Sequence, residues 1–177
     1  KWLLEQGINC PEVYGDPALL LPNFVKPKVV AHYKIGIIPH YIDIDNKVVK
    51  NISKWENSKI IRTRGFDDWK EFINLINSCD FVISSSLHGV IVSEAYGVPV
   101  IWARFDGTNY VDGWDFKFHD FFASIEKPFV EPVTISEEMS FEVLKSIANK
   151  WDKAKINFDL LLNSCPFKLD RPLKKYC

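Results

Sequence analysis

Phe81-Val82-Ile83-Ser84-Ser85-Ser86-Leu87-His88-Gly89-Val90-Ile91-Val92-Ser93-Glu94-Ala95-Tyr96-Gly97-Val98-Pro99-Val100-Ile101-Trp102-Ala103 is the stretch that decides the fold. It opens on a β-branched run, turns through three serines, and continues as a small-residue helix through Ala95. Gly97 reads as the C-cap of that helix, and Pro99 precedes a second apolar run. A strand, a turn, a helix and a further strand make a βα unit, whose strands lie parallel in one sheet.

The same alternation extends toward the N-terminus. Lys34-Ile35-Gly36-Ile37-Ile38 reads as a strand, followed by Pro39-His40-Tyr41 and a helix that places Val48, Val49, Ile52 and Trp55 on one face. Lys59-Ile60-Ile61-Arg62-Thr63 reads as the next strand, and Arg64-Gly65-Phe66 as a loop. Asp67 or Asp68 then caps a helix with Trp69, Phe72, Ile73 and Ile76 inward. The pattern predicts an α/β class, a Rossmann-like parallel sheet with flanking helices.

Toward the C-terminus the chain is loop-rich and aromatic from Phe105 to Phe122, and the Phe116–Phe122 segment reads as core. A long helix is expected near Ser136, with Phe141, Leu144, Ile147, Ala148 and Trp151 as its buried stripe. Either Ser136 or a Thr134–Glu137 capping box starts it. Cys10 to Lys28 is too rich in proline for a regular helix or central strand and reads as a structured connector. Lys1 to Gly7 reads as the last turns of a helix closed by a C-cap glycine, so the chain is expected to be a piece of something longer. The expected division is 1–30 as connector and helix remnant, 31–165 as the Rossmann-like domain, and 166–177 as a basic tail.

The 177 residues carry 22 Lys+Arg against 23 Asp+Glu. That balance gives no long-range field for nucleic acid, so any bound anion must be met by a local cluster. No apolar run reaches the ~18 to 20 residues that cross a bilayer. Cys10, Cys79, Cys165 and Cys177 form no CxxC pair, which argues against a disulfide framework or structural metal and for a reducing, cytosolic setting.

In open α/β sheets ligands bind beyond the carboxyl ends of the strands. The expected strands deliver His40, then Arg62 and Arg64, then Ser84 to His88, then Arg104 to that edge. Ser84, Ser85, Ser86 and the first amides of the helix, near Gly89, form a candidate anion cradle, with His88 in the positive first turn. The plainer alternative makes Ser86 a helix cap and His88 a packing residue. Arg62 and Arg64 offer forked donors to carboxylate or phosphate, or else pair with Asp67 or Asp68. His40 is either a site residue held by the stiff Pro39 or a half-buried loop histidine. Glu94 either accepts two ribose hydroxyls or is a solvated helix position.

Gly15-Asp16-Pro17-Ala18-Leu19-Leu20-Leu21-Pro22, Ile38-Pro39-His40-Tyr41, the serine run through Pro99, and Phe116-Lys117-Phe118-His119-Asp120-Phe121-Phe122 together resemble the polysaccharide pyruvyl transferase family. The resemblance implies a fold like that of two-domain GT-B glycosyltransferases, with this chain as the C-terminal half and an N-terminal domain as partner. It implies transfer of the carbon skeleton of phosphoenolpyruvate, as a ketal, to a lipid-linked saccharide acceptor at the cytoplasmic membrane face, with no cofactor or metal. The histidine of the family's Leu-His-Gly motif falls on His88; many members carry arginine where this chain has Ser86, so Arg62, Arg64 or Arg104 would have to supply that donor. Imidazole titrates near neutrality, which makes His88 the first candidate for proton transfer and His40 the second. Two alternatives stand beside this one. The first is a GT-B nucleotide-sugar glycosyltransferase, with Glu94 on ribose and the serines on diphosphate. The second is a non-catalytic saccharide-binding domain.

Overall fold

The structure is a computed structural model that describes residues 2–9 and 11–165. The basic tail 166–177 lies outside the described residues. After a short helix α1 (Trp2–Glu5), Gly7 takes a left-handed φ of 75°, as the C-cap reading requires. The connector contains a 3-10 helix, Pro17–Asn23, whose N-cap Asp16 accepts the Ala18 amide at 2.8 Å. This segment is packed into the fold through the buried Leu19, and Tyr96 donates its hydroxyl to the Val25 carbonyl at 2.9 Å.

The remaining elements alternate: β1 (Ile35–Ile38), α2 (Lys47–Ile52), β2 (Ser58–Ile60), α3 (Lys70–Asn77), β3 (Val82–Ser84), α4 (Leu87–Tyr96), β4 (Val100–Phe105), α5 (Phe116–Ser124), β5 (Val133–Ile135), α6 (Phe141–Ala148) and α7 (Phe158–Asn163). The five strands form one all-parallel sheet in the order β2-β1-β3-β4-β5. Strand order reverses between β1 and β3, the switch point at which doubly wound sheets open a ligand crevice.

Residues alternate between the two faces along each strand, giving two cores. Ile38, Val82, Val100 and Trp102 pack with α3, α4, α5 and Leu19. Ile35, Ile37, Ile83, Ile101, Ala103 and Phe105 pack with α2 and α6. Helix α4 is buried through Gly89–Ala95, because α3, α5 and the 3-10 helix surround it on the side away from the sheet.

Three local expectations need correction. Trp69 is 55% exposed rather than inward, because α3 begins only at Lys70 and leaves Trp69 as the cap residue, off the apolar stripe. Asp68 accepts the Lys70 amide at 2.9 Å, so the carboxylate cap reading holds in part. The helix expected from Ser136 begins at Phe141, with Ser140 as its N-cap. Val133–Ile135 had gone unread as a strand; it pairs with Ala103, Arg104 and Phe105 and removes Thr134 from any capping box.

Gly89 marks the tightest approach of α4 to the sheet. A Cβ there would stand 2.4 Å from Ser84 Oγ and 2.9 Å from Ile38 Cγ2. Both neighbours are fully buried, so neither can withdraw without moving a strand. Gly89→Ala is therefore expected to destabilise the fold by ~1–3 kcal/mol, the usual penalty of overpacking. Thermal unfolding followed by circular dichroism checks this, and an unchanged midpoint would refute the close-packing role.

Candidate functional site

An open cleft of about 500 Å³ lies over the carboxyl ends of β1, β2 and β3. Its polar wall is made by His40 after β1, Thr63 and Arg64 after β2, and Ser86 and His88 at the start of α4. Its apolar wall is made by Leu21 of the 3-10 helix, Phe66, Trp69 and Phe72. The volume suits a small ligand, and the mixture of an apolar lining with a few convergent polar groups is that of a binding site.

Each polar group is placed by a local cause. Pro39 is buried and fixes the chain leaving β1, and the His40 ring is sandwiched by Tyr41 at 4.2 Å and edge-on by Trp114 at 4.7 Å between centroids. Burial holds the His40 pKa below its ordinary 6.5, and the Lys117 ammonium adds to that effect; Asp43 opposes it and Arg64 reinforces it. Its Nδ1 lies 3.5 Å from the Ile42 amide, a weak contact at most. Arg64 is exposed in the loop beyond β2, next to Gly65, whose φ is 87°. His88 is exposed in the first turn of α4, and neither Arg64 nor His88 forms an ion pair among the described residues.

The serine run divides between structure and site. Ser84 is buried; its Oγ accepts the Ser86 amide at 3.1 Å and faces the carbonyls of Ser86 (2.8 Å) and Ile38 (3.1 Å). Ser85 is also buried; it accepts the His40 amide at 2.9 Å and donates to Asp43 Oδ2 at 2.6 Å. Only Ser86 reaches the cleft, at the N-cap of α4 with no capping hydrogen bond from its side chain. Gly89 serves the close contact with Ser84 described above rather than the cleft wall.

Three other candidate residues lie outside the cleft. Arg62 faces a shallower depression of about 280 Å³ with Lys59 and Glu71, and that depression shares Arg64 with the main cleft. Arg104 is held in an ion pair with Asp115 and lies over the Tyr110 ring, 5.6 Å from its centroid. Glu94 is not solvated: it is 1% exposed at the far end of α4, pairs with Lys127 at 2.8 Å, accepts the Trp151 indole N–H at 2.9 Å, and lines a separate cavity of about 430 Å³. The five cationic and imidazole side chains expected to converge thus divide. His40, Arg64 and His88 share one cleft, Arg62 adjoins it, and Arg104 is engaged elsewhere.

Sequence reasoning missed Asp43, which has no exposed surface. Its Oδ2 accepts from Ser85, and its Oδ1 accepts from Thr108 Oγ1 at 2.8 Å and Tyr110 OH at 3.1 Å. Asn46 then donates to Thr108 Oγ1 and to the Asp106 carbonyl, both at 2.9 Å. Burial pushes the Tyr110 phenol up to about 12, which keeps it a donor. Asp43 sits in Tyr41-Ile42-Asp43-Ile44-Asp45-Asn46, and nothing local separates it from Asp45, which is exposed and pairs with Lys50 at 2.8 Å. Among the described residues no three His, Cys, Asp or Glu side chains cluster so as to hold a metal ion.

Residues 1–106 match the family model described as polysaccharide pyruvyl transferase. An uncharacterized protein of Acanthamoeba polyphaga mimivirus is 37% identical over 111 residues, a match covering 60% of this chain and 38% of that protein. The chain therefore corresponds to well under half of that relative's length. No solved structure matches it significantly. The matched region holds β1 to β4 and every polar residue of the cleft, and on that footing the chain belongs to the polysaccharide pyruvyl transferase family.

Proposed function

We propose that the cleft binds phosphoenolpyruvate and that the protein transfers its pyruvyl group, as a ketal, to two hydroxyls of a saccharide. The observation that carries this reading is the gathering of His40, Arg64, Ser86 and His88 around one partly apolar cleft at the β1/β3 switch point. Phosphoenolpyruvate carries two anionic groups on a small vinyl frame. Arg64 offers a forked donor to one of them, and Ser86 with the α4 N-terminus offers a polar, positive end to the other. Arg62 stands beside the site, in the adjoining depression that shares Arg64 with the cleft.

The chemistry needs one proton delivered to carbon and two removed from oxygen. Protonation of the methylene carbon leaves an oxocarbenium-like centre at C2, which one sugar hydroxyl attacks with loss of its proton. The C–O bond to phosphate then breaks, and a second hydroxyl adds, also losing its proton. The products are the ketal and inorganic phosphate, which leaves with one of the two protons released. His88, open to the cleft, is assigned the delivery of the first proton. His40, which rests neutral because burial and Lys117 disfavour its charge, is assigned the uptake of a hydroxyl proton.

The acceptor in this proposal is a lipid-linked precursor of a cell-surface or exported polysaccharide, met at the cytoplasmic face of the membrane. A second domain, as in GT-B transferases, would close the cleft from the open side. No helix of the described residues is long and apolar enough to cross a membrane, so contact with a lipid-linked substrate would be peripheral in this part of the protein.

The protein should release phosphate from phosphoenolpyruvate only when a lipid-linked saccharide is present, and His88→Ala should lower kcat at least ~100-fold while the circular dichroism spectrum is kept. Turnover at the parent rate in that variant would remove the assignment. The His40 ring, followed by NMR, should titrate below 6.5. Lys117→Ala should move that midpoint upward by removing the nearby ammonium. The sign carries to stability: the folded state resists protonation at His40, so its contribution is full above pH 6.5 and is lost as the pH falls through the lowered midpoint. A midpoint unmoved by Lys117→Ala would contradict the electrostatic description.

A further inference from the structure

We infer that Asp43 is a positioning residue for His40, holding both backbone groups of that residue and so fixing the imidazole at the cleft wall. The inference rests on the reading of the cleft as a proton-transfer site. The Asp43 amide donates to the His40 carbonyl at 2.8 Å. At the other end, the His40 amide donates to Ser85 Oγ at 2.9 Å, and the Ser85 hydroxyl proton is directed to Asp43 Oδ2 at 2.6 Å. A serine hydroxyl free to rotate would offer its proton or a lone pair to the His40 amide indifferently. The carboxylate removes that freedom, because it takes the proton and leaves the lone pairs for the amide.

The second carboxylate oxygen, bound by Thr108 and Tyr110, anchors Asp43 to the loop after β4. Asp43 therefore cannot shift without disturbing three strand-end loops at once. The arrangement is that of an acid–base residue oriented by a third group, with the serine as intermediary and the backbone as the point of grip. Charge adds to geometry. The groups that act on the His40 ring are Lys117 from α5, Arg64 from the loop after β2, and Asp43 from its own loop, with the Tyr41 and Trp114 rings packed against it, tilted and edge-on respectively. Asp43 is the only anion among them, so it alone offsets the two cations.

Asp43→Asn and Ser85→Ala in the protein test this. Asp43→Asn removes the charge at constant size, and His40 should then titrate at a lower pH than in the parent. Ser85→Ala should weaken the nuclear Overhauser contacts between the His40 and Trp114 rings. Both variants should lower kcat by about 100-fold, as misplacement of a reacting group does, with the KM for phosphoenolpyruvate little changed. A folded Asp43→Asn protein with unaltered His40 titration and kcat would overturn the inference, as would Ser85→Ala with intact ring contacts. If Asp43→Asn does not fold, Ser85→Ala alone decides. The NMR readouts use no substrate: altered His40 behaviour in the variants, together with a parent protein that shows no pyruvyl transfer, would uphold the positioning role and sink the transferase reading.

Discussion

A carboxylate with no contact with water constrains the carboxyl edge of the sheet. Asp43 loses its hydration on folding, and an unpaired ion so buried would cost several kcal/mol even after relaxation. Hydroxyls from Ser85, Thr108 and Tyr110 replace that water, and each hydroxyl hangs from a loop of a different origin than Asp43 itself. They meet only if β1, β3 and β4 lie side by side in the observed register. A slip of β3 by one residue would turn its side chains to the opposite face and take Ser85 away from the carboxylate. Polar satisfaction and sheet register thus enforce one another, and the cleft inherits its geometry from both.

The distribution of ion pairs separates cations that hold the fold from those that face outward. Arg104 is matched by Asp115 and Lys127 by Glu94, each pair partly or fully shielded. Removing one partner from the Glu94–Lys127 pair would leave a buried charge uncompensated, so the pair ties the far end of α4 to the segment that carries Lys127. Arg62 and Arg64 have no such partner among the described residues. With a formal net charge of −1, the chain has no global field to attract an anion, so under the proposed reading the binding would come from these unpaired groups at short range.

Much of the fold was legible because its signal is local. The apolar alternation of β1, β3 and β4 and the small-residue helix between Ser86 and Gly97 depend on residue type and spacing alone. The cleft was half legible for the same reason: the strand-end rule picked out His40, Arg64, Ser86 and His88. What escaped depends on distant partners. Three adjacent serines look alike in sequence and all three are buried, yet two are engaged by Ile38 and Asp43 and only Ser86 lines the cleft. Arg104 reads as a free donor until Asp115 folds back beside it. Val133–Ile135 is too short to declare itself, and becomes a strand because β4 runs on to Phe105 and offers it an edge.

The apolar side of the cleft bears on the chemistry as much as the polar side. Leu21, Phe66 and Phe72 exclude water from one wall, and a guanidinium facing such a wall attracts an anion more strongly than one in bulk solvent. Burial likewise penalises charge on His40, whose ring contacts Tyr41 and Trp114, with the Lys117 ammonium over the Trp114 ring at 4.3 Å. One physical cause therefore has two effects: it would tighten the hold on an anion bound there, and it disfavours charge on the neighbouring imidazole. Under the proposed reading, the field of bound phosphoenolpyruvate would favour the imidazolium and reverse the second effect, so that His40 would gain proton affinity within the complex, where a hydroxyl proton has to be accepted.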